Sequence, residues 1–91
     1  MGKKPVIQMR GPHIEYSPES DILYIQFGPQ EHSAGTKAID DLRIVDFAED
    51  GSLYGVEFIG ASAGLDLSDL PERDRIEAAV RAIPQFKVLA S

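Results

Sequence analysis

The residue pattern predicts an α+β domain: an antiparallel β-sheet of two hairpins, four to five strands in all, with one C-terminal helix packed on a face. Three observations predict it. Short β-branched and aromatic runs alternate with turn-forming clusters across residues 13–59. The dipeptide Asp50-Gly51 stands between two such runs, a strong hairpin signal. Beyond residue 70 the apolar spacing changes from the period of a strand to that of a helix.

Residues 1–12, with Pro5, Gly11 and Pro12, read as an N-terminal arm with a short extended piece at residues 6–9. Residues 13–91 form a single domain. Residues 13–16 alternate polar and apolar, as a half-buried strand does. Ser17-Pro18-Glu19-Ser20 is a turn, because Pro presets φ and Ser bonds its own backbone. Residues 21–27, Asp-Ile-Leu-Tyr-Ile-Gln-Phe, make the strongest strand. A turn at 17–20 sets Tyr16 opposite Asp21 and Ile14 opposite Leu23, and Ile25 and Phe27 continue that apolar face.

Residues 28–35 read as a loop and residues 36–39 as a short edge strand. Residues 42–47 and 53–59 are the second hairpin. A type I′ turn centred on Asp50-Gly51 pairs Phe47 with Tyr54 and Val45 with Val56. The opposite face then carries Ile44, Asp46, Leu53, Gly55, Glu57 and Ile59, a half-apolar surface open to the helix or to another subunit. Residues 60–67 are a tight connection or one helical turn. A helix follows over about residues 70–83, with Asp69 as cap, Pro71 in the first turn and Glu72 three residues after the cap. Ile76, Ala79, Val80 and Ile83 form its apolar stripe, while Glu72, Arg73, Glu77 and Arg81 point elsewhere. Pro84 ends it. The tail at 84–91 is apolar enough over 86–90 to dock as a strand or against a neighbour.

Composition narrows the function classes. Net charge is −6, with the basic residues scattered. A phosphate-tracking surface needs them clustered, so nucleic acid is disfavoured and a basic protein partner suits the charge. With no Cys, the chain has no disulfide, no thiolate zinc ligand and no thiol nucleophile, and a reducing cytoplasm is the natural setting. No apolar run approaches membrane-spanning length, and none follows the basic Met1-Gly2-Lys3-Lys4-Pro5 start.

The two hairpins also carry a pattern. Tyr16-Ser17-Pro18-Glu19-Ser20-Asp21-Ile22-Leu23-Tyr24-Ile25 resembles the opening motif of the prokaryotic family domain of unknown function 2283. Ile44-Val45 with Asp46-Phe47-Ala48-Glu49-Asp50-Gly51-Ser52-Leu53-Tyr54-Gly55-Val56-Glu57-Phe58-Ile59 resembles its second motif. The resemblance spans residues 16–62. It implies a small β-rich domain with a helix, no established catalytic residues and no cofactor. Some members are similar to the smaller partner of toxin–antitoxin-like pairs, which implies an interaction role. Leu42-Arg43 departs from the Gly usual before the Ile-Val-Asp segment, and the arm, helix and tail lie outside the matching region.

Each candidate for chemistry has a plainer reading. Asp21 suits backbone N–H groups at a strand start better than a ligand or acid role. Asp46 and Glu57 share a strand face, where paired carboxylates hold a divalent cation, do acid–base work or are simply solvated. Asp40-Asp41 and Glu49-Asp50-Gly51 lack calcium-loop spacing and read as turns. His13 and His32 have no metal-motif partner. Gly60-Ala61-Ser62-Ala63-Gly64 follows a strand but lacks the Gly-x-Ser-x-Gly elbow. Tyr24 and Tyr54 suit cross-strand packing before a recognition patch. The expected function is therefore a non-enzymatic interaction module that self-associates or holds a small partner, antitoxin-like on the resemblance, with no catalytic, cofactor or metal residue assigned. The alternatives are a minimal metal-dependent enzyme using Asp46, Glu57 and a His, and a stabilising appendage to a larger assembly.

Overall fold

The computed structural model describes residues 12–29 and 33–90. The arm before Pro12, its expected extended piece at 6–9, and His32 lie outside the described residues. The strands are β1 (His13–Ser17), β2 (Ile22–Gln26), β3 (Gly35–Ala38), β4 (Arg43–Phe47) and β5 (Leu53–Ile59). They form one sheet in the order β1-β2-β5-β4-β3, antiparallel throughout. A single 3-10 turn (Ala61–Ala63) leads into β6 (Leu65–Asp66), and helix α1 (Arg73–Arg81) is followed by β7 (Val88–Ala90). The tail does dock as a strand: β7 pairs in parallel with β6, a partner that residues 60–67 did not announce. The α+β class stands, with the helix on one face of the sheet. Among the described residues, no helix is long and apolar enough to cross a membrane.

The first hairpin keeps its predicted faces but not its register. Tyr16 stands opposite Leu23 and Ile14 opposite Ile25, two residues from the expected pairing. The loop is 18–21 rather than 17–20, because Asp21 takes a left-handed conformation (φ 57) and its N–H reaches Ser17 O at 2.8 Å. Side chains alternate with a period of two, so a two-residue slip leaves the same residues inside.

The second hairpin pairs Val45 with Val56 as expected, but Phe47 stands opposite Leu53, not Tyr54. The turn is not type I′, which requires φ > 0 at both central positions. Of Asp50 and Gly51 only Gly51 has it (φ 87); Gly51 N–H bonds Ala48 O, and Ala48 N–H bonds Ser52 O. This is a three-residue loop, and Tyr54 is the extra residue of a bulge on β5. The Tyr54 carbonyl accepts N–H bonds from both Phe27 and Gly28, tying the end of β2 to the bulge. The bulge also turns Leu53 inward: expected on the outer face, it is buried in the core.

Leu23, Ile25, Val45, Val56 and Phe58 form the inner face, and Ile76, Ala79 and Val80 of α1 join them in one core, as does Ile83 two residues past the end of the helix. Each Leu, Ile, Val or Phe among them contributes roughly 1.5–3 kcal/mol when fully buried. The helix is shorter than 70–83 and is not capped by Asp69. Asp69 (φ 63) and Glu72 (φ 49) are both left-handed, which folds 69–72 into a turn that delivers Leu70 to the core. Glu72 stands at the N-cap position without capping the helix through its side chain. Its carboxylate instead accepts the Leu53 N–H at 2.8 Å and an Arg75 N–H at 3.0 Å, pinning α1 to the start of β5. With α1 on the inner face, nothing among the described residues places a helix on the outer one.

Candidate functional site

The outer face is built by cross-strand register. One row runs Glu15, Tyr24, Glu57, Ile44 across β1, β2, β5 and β4. The next runs His13, Gln26, Gly55, Asp46, Thr36. Gly55 permits the decisive contact between rows. A Cβ there would lie 2.6 Å from Tyr24 Cζ, so only glycine lets the Tyr24 ring cross β5. The ring reaches β4, where its hydroxyl donates to Asp46 Oδ2 at 2.7 Å, and Thr36 donates to Asp46 Oδ1 at 2.8 Å. Burial first, then the Asp46 hydrogen bond and the charges of Asp46 and Glu57, push the Tyr24 pKa well up. Tyr24 therefore holds its proton and remains a donor. Tyr54, buried at the bulge, stands close enough to Tyr24 to add to that shift.

The structure thus joins Asp46 to Tyr24 and Thr36, with Glu57 opposite Tyr24 on the same face. Both Asp46 oxygens already accept hydrogen bonds, an arrangement that braces β2, β3 and β4 across the sheet. His13 is not brought to it. It sits three strands away from Asp46, about 14 Å at ordinary strand spacing, and pairs with Glu15 at 3.0 Å. Among the described residues, no group of three or more His, Cys, Asp or Glu side chains is placed to hold a metal ion.

Asp21 is a junction. Its Oδ1 accepts the Tyr16 hydroxyl at 2.6 Å and the Ser62 N–H at 2.9 Å, and its Oδ2 accepts the Ser62 hydroxyl at 2.6 Å. Its carbonyl takes the N–H groups of Gly60 and Ala61. The Ser62 and Tyr16 hydroxyls hold the Asp21 pKa below the usual carboxylate range. The expected structural role is right, but the partner is the small-residue segment 60–64, which acts as a receptor for the first hairpin.

Arg43 is the residue that sequence reasoning missed. It is 6% exposed and fans out to Asp40 Oδ2, the Asp66 carbonyl and the Ser68 carbonyl. It clamps the β3–β4 turn to the segment around β6. Its only sequence signal is the departure at Leu42-Arg43. Asp40 also accepts the Leu42 N–H, and Asp50 accepts the Ser52 N–H and hydroxyl, so both acidic turns are turn chemistry.

Three of the clefts on the surface are lined by described residues. The first, about 800 Å³, lies between α1 and the β1–β2 edge. The others, about 470 and 380 Å³, lie beside Tyr16–Tyr24 and beside the β4–β5 turn. Neither Asp46 nor Glu57 lines any of the three.

No curated protein and no solved structure matches the chain. A family model described as protein of unknown function (DUF2283) matches residues 13–62. The matched span runs from the first residue of β1 through Ser62, so it encloses both hairpins, the Tyr24–Asp46 brace and both ends of the Asp21 junction. With more than half of its length matched, the chain belongs to the DUF2283 family.

Proposed function

We propose that the domain is a protein-interaction module of the prokaryotic cytoplasm whose working surface is the outer face of the five-stranded sheet. The observation that carries this reading is the composition of that face. Ile22, Ile44 and Ile59 stand there half-buried, and Leu42, 55% exposed, continues the band beside Ile59. Glu15, Asp46 and Glu57 flank it, and among the described strand positions facing outward there is no Lys or Arg. An apolar band rimmed by charge is the anatomy of a docking surface. Two copies pressed face to face would set carboxylates against carboxylates, so the complementary partner is a cationic protein. A small cationic partner of the toxin–antitoxin-like kind fits the charge of this face.

The test is affinity capture with the parent chain and with Glu15→Lys/Glu57→Lys, after circular dichroism shows equal melting. The expected result is a basic partner that the parent holds, that salt releases and that the variant loses. A partner retained equally by both chains overturns the reading.

A further inference from the structure

We propose that the cationic partner anchors on the outer face through one arginine, seated between Glu57 and the Tyr24 ring. This anchor rests on the interaction reading of the face and narrows it from a charge to a side chain. Among the described strand positions facing outward there are three carboxylates, and the chain itself engages two of them. Asp46 accepts from Tyr24 on one oxygen and from Thr36 on the other. Glu15 is exposed and pairs with His13 at 3.0 Å. Glu57 makes no hydrogen bond or ion pair among the described residues. It is also the central one, on the middle strand of the five. Tyr24 and Ile44 stand opposite it on either side, and Ile59 is next on its own strand. All four residues are half-buried. A carboxylate walled by apolar side chains meets less water, and its oxygens can only accept, so it calls for a donor from outside the chain.

The ring beside it selects arginine over lysine. Tyr24 is held in place, because Gly55 gives its ring room over β5 and Asp46 takes its hydroxyl at 2.7 Å. A fixed, half-exposed aromatic ring therefore stands directly opposite the carboxylate. A guanidinium is planar and weakly hydrated, donates two parallel N–H groups to one carboxylate and stacks on an aromatic face. An ammonium meets the charge, but it holds its water more strongly and has no plane to stack. The methylenes of an arginine reaching Glu57 would lie along Ile44 and Ile59, which gives the apolar band its share of the contact.

The probes are two capped tripeptides, one arginine or one lysine between two leucines, titrated at low salt into the full isotope-labelled chain and followed by nuclear magnetic resonance. The arginine peptide is expected to shift the Tyr24 and Glu57 signals to saturation and to bind several-fold more tightly than the lysine peptide. Overhauser cross-peaks should run from its arginine methylenes to the Tyr24 ring protons, a readout that needs no variant. Glu57→Gln should abolish this binding and Glu15→Gln should keep it, each variant melting as the parent does. Equal binding of the two peptides, or equal loss in the two variants, overturns the anchor and leaves a face that docks by charge alone. Failure of both peptides to bind also overturns the anchor, whereas the interaction reading itself falls only with the capture experiment.

Discussion

At the scale of single residues, the fold depends on a few side chains whose partners are far away in sequence. Asp21 was legible as a structural carboxylate, since it follows a Ser-Pro turn. Its partner Ser62, forty-one positions on, was not, because local pattern carries no information about which loop a turn meets. Gly55 was legible as a strand glycine, but the tyrosine that crosses it was not, because its Cβ space is filled from the neighbouring strand β2, thirty-one positions earlier in the chain. Gly55→Val is expected to displace Tyr24 from Asp46 and to cost about 1–3 kcal/mol as overpacking, read from urea denaturation. A variant with parental stability would show that Tyr24 does not need the gap. Asp21→Ala is expected to lower the melting temperature clearly. In a double-mutant cycle with Ser62→Ala, the two losses should fall short of additive, since either change removes the same bonds. Strict additivity would mean that the junction is not a coupled unit.

At the scale of elements, alternation and periodicity carried the prediction and turn chemistry limited it. The apolar stripe of α1 and the Val45–Val56 pair were readable because each depends only on spacing along the chain. The β1–β2 register and the late start of α1 were not, because each turns on one left-handed residue, Asp21 and Glu72, and the β5 bulge was not, because Asp50-Gly51 serves a three-residue loop as well as a two-residue one. Asp and Glu carry no strong signature for that conformation, whereas Gly does. Gly51 tests the point cleanly. A Cβ there meets nothing within 4 Å, so Gly51→Ala has only its backbone cost. That cost is about 1–2 kcal/mol for an L-residue in the left-handed region. Gly51→Asn should recover part of it. Equal stability of the alanine variant and the parent would restore a turn without a left-handed residue.

At the scale of the whole molecule, separate elements are tied by carboxylates, and the ties set the pH range in which the fold holds. Asp21 joins the first hairpin to segment 60–64, Asp40 and Asp66 join through Arg43, and Glu72 joins α1 to β5. Hydrogen bonds from Ser62, Arg43, Ser68 and the Leu53 N–H respectively hold these four groups below their ordinary values of 3.8 for Asp and 4.5 for Glu. A group whose folded pKa is depressed takes up its proton first in the unfolded chain. Its stabilisation is therefore complete above the unfolded pKa and is lost as pH falls through the folded one. Tyr24 and Tyr16 have the opposite sign: burial first for Tyr24, and the Asp21 hydrogen bond first for Tyr16, raise them above the ordinary 10.0. Their contribution is complete below that value and is lost as pH rises beyond it. The melting temperature at constant ionic strength should thus be flat from about pH 5 to about pH 9 and fall on both sides. Tyr24→Phe should flatten part of the alkaline limb and leave the acid limb unchanged, which separates the tyrosine from the general repulsion of an acidic chain. Stability that held constant from pH 6 to pH 3, or a Tyr24→Phe profile identical to the parent above pH 10, would show that these ties do not couple the elements as the geometry implies.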